Sequence, residues 1–324
     1  MARLNHGQWI LLPKNKGPGQ PVLDDYLQQH ARLFVGKPVD TWFEAGYFQC
    51  NDRTLTRESV LRSGDQPRLF RPPWEEPVVP DDIHIVHEDA SLLVVDKPPG
   101  LPVTPTGDFY QNTLLHLLRA QTNNAALSPV HRLDIETSGL IAFAKQPDQR
   151  GFYQMQFQQN RIAKSYTALV FGRFPTKLTI IEMPLAKDSL IYTKAVPDPD
   201  GIPARTEVAA VAHDLDQDMS VLELKPITGR TNQLRAHCAG LGFPIVGDKK
   251  YGADPQLFLR WLEDKNTAAY LTRWRLPYQA LHSRCLALDT PAGTCLALTS
   301  QRDVVQTWRD LLQQSARPGG ADLN

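Results

Sequence analysis

The chain has 324 residues, a length that suits about two domains at roughly 150 residues each. With 42% hydrophobic, 8% aromatic and 22% charged residues it is neither disordered, collagenous nor coiled-coil. Its 35 Lys and Arg balance 35 Asp and Glu, so no global positive field exists and any polyanion must be met by a local patch. No run of about 18 apolar residues occurs, and Met1 to Gln20 lacks the apolar stretch of a signal peptide, which predicts a soluble, cytoplasmic protein with no membrane partner. Cys50, Cys238, Cys285 and Cys295 form no CxxC pair and are expected to be buried free thiols.

Residues 1–20 read as a flexible leader, with Lys14 to Pro21 rich in Pro and Gly. A small unit follows at 21–70. It holds a helix around Val22, Leu23, Tyr26 and Leu27, a helical turn at Trp42 to Glu44, a hairpin-like stretch from Tyr47 to Leu55, and a turn at Gly64-Asp65. Fifty residues make a marginal core, so this unit is expected to lean on a partner. Residues 71–80 (RPPWEEPVVP) read as a stiff linker that is neither helix nor central strand. From Asp81 a hairpin is predicted over IHIVHEDASLLVVDKP, with further strands at Leu140 to Ala144, Ser165 to Gly172, Glu207 to His213, Ser220 to Lys225 and around Leu286 and Leu296. Helices are predicted at Thr113 to Gln121, Asp148 to Gln159, Thr231 to Ala239 with Thr231 as N-cap, and Asp303 to Gln313. Strands dominate without regular βαβ alternation, which gives an α+β fold with a mixed, largely antiparallel sheet over 81–324.

The segment PVHRLDIETSGLIAFAK, from Pro129 to Lys145, wedges a charged loop between a proline and an apolar strand, where a scaffold presents reactive groups. Asp134 is its focus, with Arg132 at i−2 and the small residues Thr137, Ser138 and Gly139 nearby. An adjacent arginine favours a carboxylate's charged form, which suits a nucleophile or base better than a proton donor. Arg132, Asp134 and Thr137 could instead merely close the loop by hydrogen bonds. Ser138 with His131 would make a hydrolase pair, but no GxSxG elbow surrounds the serine. A glycosidase would want a second carboxylate, for which Glu136 is the local candidate.

The cluster TGRTNQLRAH, Thr228 to His237, offers Arg230 and Arg235 as a grip for phosphate or carboxylate, though isolated arginines are commonly solvated. Between Lys225 and Arg275 nine cations face four acids, whereas Asp40 to Ala90 carries eleven acids against five bases, so positive charge gathers C-terminally. Tyr166 sits on a strand as a core tyrosine or as a flat ring on which a base can stack. His84 and His87 are expected on opposite strand faces, and His213, His237 and His282 have no ligand spacing. No phosphate-loop or dinucleotide fingerprint appears.

These segments, DKPPGLPVTP at Asp96 to Pro105, HRLDIETSGL at His131 to Leu140, KSYTALVFG at Lys164 to Gly172, GRTNQLRAH at Gly229 to His237, GFPIVGDKKYG at Gly242 to Gly252 and LHSRCL at Leu281 to Leu286, resemble in identity and order those of RluA-type RNA pseudouridine synthases. The resemblance covers about Asp81 to Leu312. It implies Asp134 as catalytic aspartate, Tyr166 as base-stacking tyrosine and Arg235 as the arginine paired with Asp134. It further implies Arg132 as the side chain that enters the space of a flipped nucleotide and Leu234 as an apolar residue of the pocket. With His131, Thr137, Arg230 and Lys164, these form the expected substrate-binding set. The sequence departs from the pattern at Asn232 and Thr104, where histidines are usual. Residues 21–70 resemble a degenerate alpha-L RNA-binding module, with seven acids against six bases including Arg32 and Lys37.

Uridine isomerisation involves no redox change and loses no group, so the resemblance implies neither metal nor organic cofactor. The partner it implies is RNA, a stem-loop by preference, ribosomal before transfer RNA, bound by a monomer. An RNA-binding or folding-assistant protein on the same scaffold, with catalysis lost, is the alternative.

Overall fold

The computed structural model describes residues 3–17, 19–30, 38–177, 179–191, 193–214, 217–252 and 254–315. Two compact units divide the chain, Met1–Val78 and Val79–Asn324.

The first unit runs β1 (Arg3–Asn5), β2 (Gln8–Leu11), α1 (Leu23–Gln29), α2 (Val39–Glu44), β3 (Phe48–Cys50), β4 (Arg53–Thr54), β5 (Arg68–Arg71) and β6 (Trp74–Glu76). Four strands form a sheet in the order β2-β5-β3-β4, and β1 pairs with β6. Asn51 and Asp52 take φ of 49° and 60°, which closes the predicted β3–β4 hairpin in two residues. Leu12, Leu23, Tyr26, Trp42, Phe48, Leu61 and Leu69 bury a common core.

Two boundaries therefore differ from expectation. The supposed leader carries β1 and β2, because antiparallel pairing with Trp74–Glu76 and Arg68–Arg71 gives its backbone partners; Met1 and Ala2 lie outside the described residues. The proline-rich linker contains β6, with Pro72 and Pro73 falling between strands, where a missing N–H costs nothing. Arg32 and Lys37, counted among the module's bases, also lie outside the described residues.

The second unit contains β7 (His84–Glu88), β8 (Leu92–Lys97), α3 (Leu114–Thr122), β9 (Ser128–Pro129), β10 (Ser138–Ala144), α4 (Pro147–Gln158), β11 (Ala163–Phe171), β12 (Thr179–Glu182), β13 (Leu185–Lys187), β14 (Ala195–Pro197), β15 (Arg205–Asp214), β16 (Met219–Pro226), α5 (Gln233–Gly240), α6 (Pro255–Asp264), α7 (Leu271–Trp274), β17 (Leu281–Asp289), β18 (Cys295–Thr299) and α8 (Val304–Ser315). Its main sheet follows the order β12-β15-β16-β11-β17-β10-β8-β7, with β18 on β17 and β9 on β10. Among the described residues β10–β17 is its one parallel pair, so the sheet is mixed and largely antiparallel, as expected of an α+β fold.

The apolar runs in β8 and β10 are explained by burial on both faces. Leu93, Val95, Ile141 and Phe143 pack with Leu114, Leu115 and Leu118 of α3. Leu92, Val94, Leu140, Ala142 and Ala144 pack with Tyr153 of α4 and Leu286 and Leu288 of β17. Each such side chain withdrawn from water contributes about 1.5–3 kcal/mol before entropy is counted. A third core joins β11, β15 and β16 to Leu234 and Cys238 of α5 and Val304, Trp308 and Leu312 of α8. Tyr166 packs against this core and the α3 core alike, at the centre of the sheet.

Local details correct several readings. The α5 helix begins at Gln233, not Thr231, because Asn232 adopts φ 53°; the Gln233 side chain turns back to the preceding loop, accepting hydrogen bonds from Arg230 N at 3.0 Å and Thr228 Oγ1 at 2.7 Å. Thr231 therefore lies outside the helix and does not cap it. A bulge between Ile85 and His87 sets His84 opposite Asp96 and His87 opposite Val94, so the two histidines share a face, each beside an aspartate, Asp82 and Asp89. Of the cysteines, Cys50 and Cys238 are buried, Cys285 is half-buried and Cys295 is exposed. The further elements without a sequence prediction are α6, α7, β5, β9 and β12 to β14; all but the ten-residue α6 are four residues or shorter. Among the described residues no helix is long and apolar enough to cross a membrane.

Gly139 locks the centre of the sheet: it lies opposite Ser283 in the β10–β17 pair at φ +105°, and a Cβ there would run into the backbone of Ser283. We expect Gly139→Ala to destabilise the second unit by roughly 3 kcal/mol or more in urea unfolding. A change under about 0.5 kcal/mol, the size of an ordinary surface substitution, would show that the strand can shift to admit the methyl group.

Candidate active site

The sheet register gathers the site. In β17, Ser283 pairs with Gly139 of β10 on one side and with Tyr166 of β11 on the other, Tyr166 following a bulge after Ser165. The loop before β10 and the middle of β11 are thereby brought beside each other. On the far side of β11, an isolated bridge from Val170 to Ile245 fixes the turn that starts at Gly247.

Arg235 of α5 joins the pieces. Its Nε and Nη2 donate to Oδ2 and Oδ1 of Asp248 at 2.6 and 2.8 Å, and its Nη1 donates to Asp134 Oδ2 at 2.8 Å. Asp248 is 1% exposed and its Oδ1 also accepts from the backbone N–H of Lys250 and Tyr251. Burial alone would pull the guanidinium down, but the opposing charges, Asp248 before Asp134, hold it above its ordinary range. The reciprocal attraction keeps Asp248 below the usual carboxylate range although its burial acts the other way. Asp134 differs from Asp248 in reach: its side chain is 35% exposed, so it presents a free edge to solvent while one oxygen is held.

Tyr166 stands near enough for the Asp134 charge to act on its hydroxyl. Burial first, and that charge second, push the phenol up to about 12, so its hydroxyl stays protonated at neutral pH. The loop carrying Asp134 is tied at each following residue. Lys97 Nζ, fully buried, donates to the carbonyls of Pro98, Leu101 and Ile135 at 2.8–2.9 Å, and burial draws it down to about 7. Glu136 receives Lys249 Nζ, Thr137 receives Gln279 Nε2, and Ser138 Oγ meets His282 Nδ1 at 2.9 Å.

The predicted site residues thus separate. Asp134, Arg235 and Tyr166 come together. Arg132 is exposed and has no carboxylate partner among the described residues; Asp134 takes its counter-charge from Arg235, not from its sequence neighbour. His131 stacks on Phe157 at 4.2 Å, and its Nε2 accepts the Ala142 N–H. Burial first, and the Lys164 charge second, press this imidazole down to about 3. Ser138 is bonded to His282, so no serine–His131 pair forms. Thr137 is 3% exposed, Leu234 lies in the core between β11 and α8, and Arg230 Nε donates outward to Pro203 O at 3.0 Å. Lys164 is half-buried, its amine next to Gly229.

Asp248, Lys249, Lys97 and Gln279 are the participants sequence reasoning left without a role. The first three stand inside the motifs GDKKYG and DKPPG, but no spacing rule links Asp248 to an arginine thirteen residues away.

Two outcomes test this geometry. Arg235→Ala strands Asp248 as an unpaired buried charge, so it should lower stability by about 3–5 kcal/mol, whereas Arg230→Ala should cost under about 1 kcal/mol; similar midpoints in urea would contradict the pairing. His131, held near 3, remains neutral in the folded chain while its unfolded form takes a proton near pH 6.5. Its contribution is full above about pH 6.5 and is lost as pH falls toward 3, so in His131→Gln the slope of stability between pH 6 and 4 should flatten by about 1.4 kcal/mol per pH unit.

Comparison with known proteins places this chain in a family. The sequence model described as RNA pseudouridylate synthase matches residues 91–240. The uncharacterized RNA pseudouridine synthase YhcT of Bacillus subtilis (strain 168) is 30% identical over 263 residues, covering 76% of this chain and 86% of that protein. The mitochondrial tRNA pseudouridine(32) synthase of Saccharomyces cerevisiae is 35% identical over 217 residues, 65% of this chain but 46% of its own length. In structure, human RNA Pseudouridylate Synthase Domain Containing 1 superposes with a TM-score of 0.56 at 25% identity, covering 75% of this chain and 98% of that one. The chain belongs to the RluA-type RNA pseudouridine synthases, isomerases that convert uridine to pseudouridine in RNA.

Proposed function

We propose that Asp134 is the carboxylate that acts on the ribose of the target uridine. The reaction breaks the bond from the anomeric carbon to N1, turns the uracil, joins the anomeric carbon to C5, releases the C5 proton and leaves N1 protonated in its place. One carboxylate acting at the sugar, as nucleophile or proton acceptor, meets that need. The observation that carries the reading is the ion pair: Asp134 is gripped on one oxygen by a buried arginine and open on its other edge. A preorganised charge of this kind does not have to be desolvated or turned at the moment of reaction. Arg235 is the group that orients Asp134, and the Tyr166 ring is the surface on which the freed base is held.

A base inside an RNA stack must leave it, at a cost of a few kcal/mol. Arg132, exposed and without a carboxylate partner, fills the vacated place and offsets part of that cost. Lys164 and Arg230 contribute positive charge around the entry. The substrate in this reading is an unpaired uridine of a stem-loop, whose edges are accessible as those of an A-form helix are not. Ribosomal RNA is the class favoured by the appended first unit; transfer RNA, named as the substrate of the yeast relative, is the second.

The test is a map of pseudouridines in total RNA from cells with and without the gene. At least one site should vanish on deletion, return with the wild-type gene and stay absent with Asp134→Asn, while purified Asp134→Asn protein retains its affinity for that RNA within about threefold. Restoration of the site by Asp134→Asn would refute the role given to this carboxylate. No lost site at all would favour an RNA-binding protein without catalysis.

A further inference from the structure

The catalytic loop carries a second carboxylate, Glu136, two residues beyond Asp134, and the reaction as described gives it nothing to do. It is not idle in the structure. Glu136 Oε1 is bound by Lys249 Nζ, and its Oε2 accepts the Gln279 N–H at 3.4 Å. Lys249 is a buried cation, its side chain 4% exposed. Its amine donates also to Pro277 O at 2.6 Å and lies 5.4–5.6 Å from the ring centres of Trp261, Trp274 and Tyr278. Such a box holds an ammonium without offering it a competing charge.

Lys249 directly follows Asp248. From one turn, two neighbouring residues therefore govern two carboxylates of one loop: Asp248 holds Arg235 against Asp134, and Lys249 holds Glu136. The turn itself is fixed by Gly247 at φ +79°, where any Cβ would meet Tyr278 O. Around the loop stand Lys97, Lys250, Arg235, Asp248, Tyr166 and Tyr278, and both Asp134 and Glu136 act electrostatically on Lys97 and Lys250. A free Glu136 in this crowd would be a rival acceptor for the cations that surround Asp134.

We propose that Lys249 is a positioning residue for the isomerisation: by sequestering Glu136 it keeps a second carboxylate from competing with Asp134 for the cations around their loop. This rests on the reading of Asp134 as the acting carboxylate. Lys249 is buried and paired with Glu136, and its removal acts through that carboxylate. The consequence is specific. Lys249→Met leaves Glu136 without its counter-charge and harms turnover, and neutralising that liberated charge with Glu136→Gln in the same chain repairs it, because a glutamine carbonyl can still accept from Gln279 but carries no charge to compete with Asp134.

The experiment uses the full chain and RNA from cells lacking the gene, labelled with tritium at uridine C5, whose release reports isomerisation. Wild type, Lys249→Met, Glu136→Gln, the double variant and Asp134→Asn are compared for kcat, KM, RNA affinity by filter binding and thermal midpoint. We expect Lys249→Met to lose at least tenfold in kcat with KM and affinity within twofold, and the double variant to recover to within about threefold of Glu136→Gln alone. Additive losses in the double variant, or an unchanged kcat in Lys249→Met, overturn the proposal. Should Lys249→Met fail to fold, Lys249→Gln replaces it with the same rescue expected, and a Lys249→Gln loss that Glu136→Gln does not repair again overturns it. Asp134→Asn separates the two levels: if it releases tritium, the reading of Asp134 has failed; if it is inactive while Lys249→Met is fully active, only the present inference has.

Discussion

One guanidinium orders the second unit. Arg235 spends two donors on a carboxylate sealed from water and a third on a carboxylate half open to it. Taking such charges out of water is expensive, several kcal/mol per ion, and is repaid only by near-ideal geometry with every remaining acceptor satisfied. Asp248 meets that condition with four hydrogen bonds, two from the fork and two from its own turn. A lysine could not replace Arg235, because a point charge on a flexible stem cannot face two carboxylates in fixed directions at once. The burial is therefore better understood as buying direction than stability: the relay fixes where Asp134 points.

That relay can close only because of the sheet's register. Arg235 and Asp134 are 101 residues apart, and neither belongs to an element that pairs with the other's. The link is β17, which enters parallel to β10 and antiparallel to β11, with Ser283 between Gly139 and Tyr166. The glycine admits the close approach, and the register shift at Ser165–Tyr166, which skips Arg284 of β17, brings Tyr166 opposite Ser283. Packing and chemistry meet at this tyrosine, which touches two hydrophobic cores with its ring and feels the Asp134 charge at its hydroxyl.

Several elements with a repeating pattern were legible in the sequence, although the amphipathic α6, with Phe258, Trp261 and Leu262 at helical spacing, was missed. The hairpin β7–β8, the apolar strand β10 and helix α8 show in periodicity because burial dictates residue type at each step. The start of α5 did not, since an asparagine in the left-handed region and a glutamine turning back on its own helix leave no pattern. Strands β1, β2 and β6 were hidden by the prolines and glycines around them. Among site residues, Asp134, Tyr166 and Arg235 were reached through the ordered motifs, while spacing alone pointed to Arg132 as partner of Asp134. Proximity in sequence misleads here because side chains on an irregular loop diverge, whereas a buried counter-ion arrives from a distant turn. Thr137 and Leu234 fell within the same motifs because motifs preserve scaffold as well as chemistry.

Such scaffold is what an isomerisation of this type demands. In the mechanism proposed for Asp134 the base detaches and turns while the carboxylate stays, so mobility has to be confined to the substrate. Each residue from Asp134 to Ser138 has at least one anchor of its own: Arg235, the Lys97 ammonium on the Ile135 carbonyl, Lys249, Gln279 and His282. Lys97 makes the point most economically. Its three protons match the three carbonyls of Pro98, Leu101 and Ile135, and burial draws it down to about 7. His131 achieves a like result by remaining neutral, its ring wedged on Phe157 and its nitrogen closed by the Ala142 N–H. Stacking, ammonium and guanidinium converge on one short loop, and an acid held so firmly can act on a sugar without first paying to be placed.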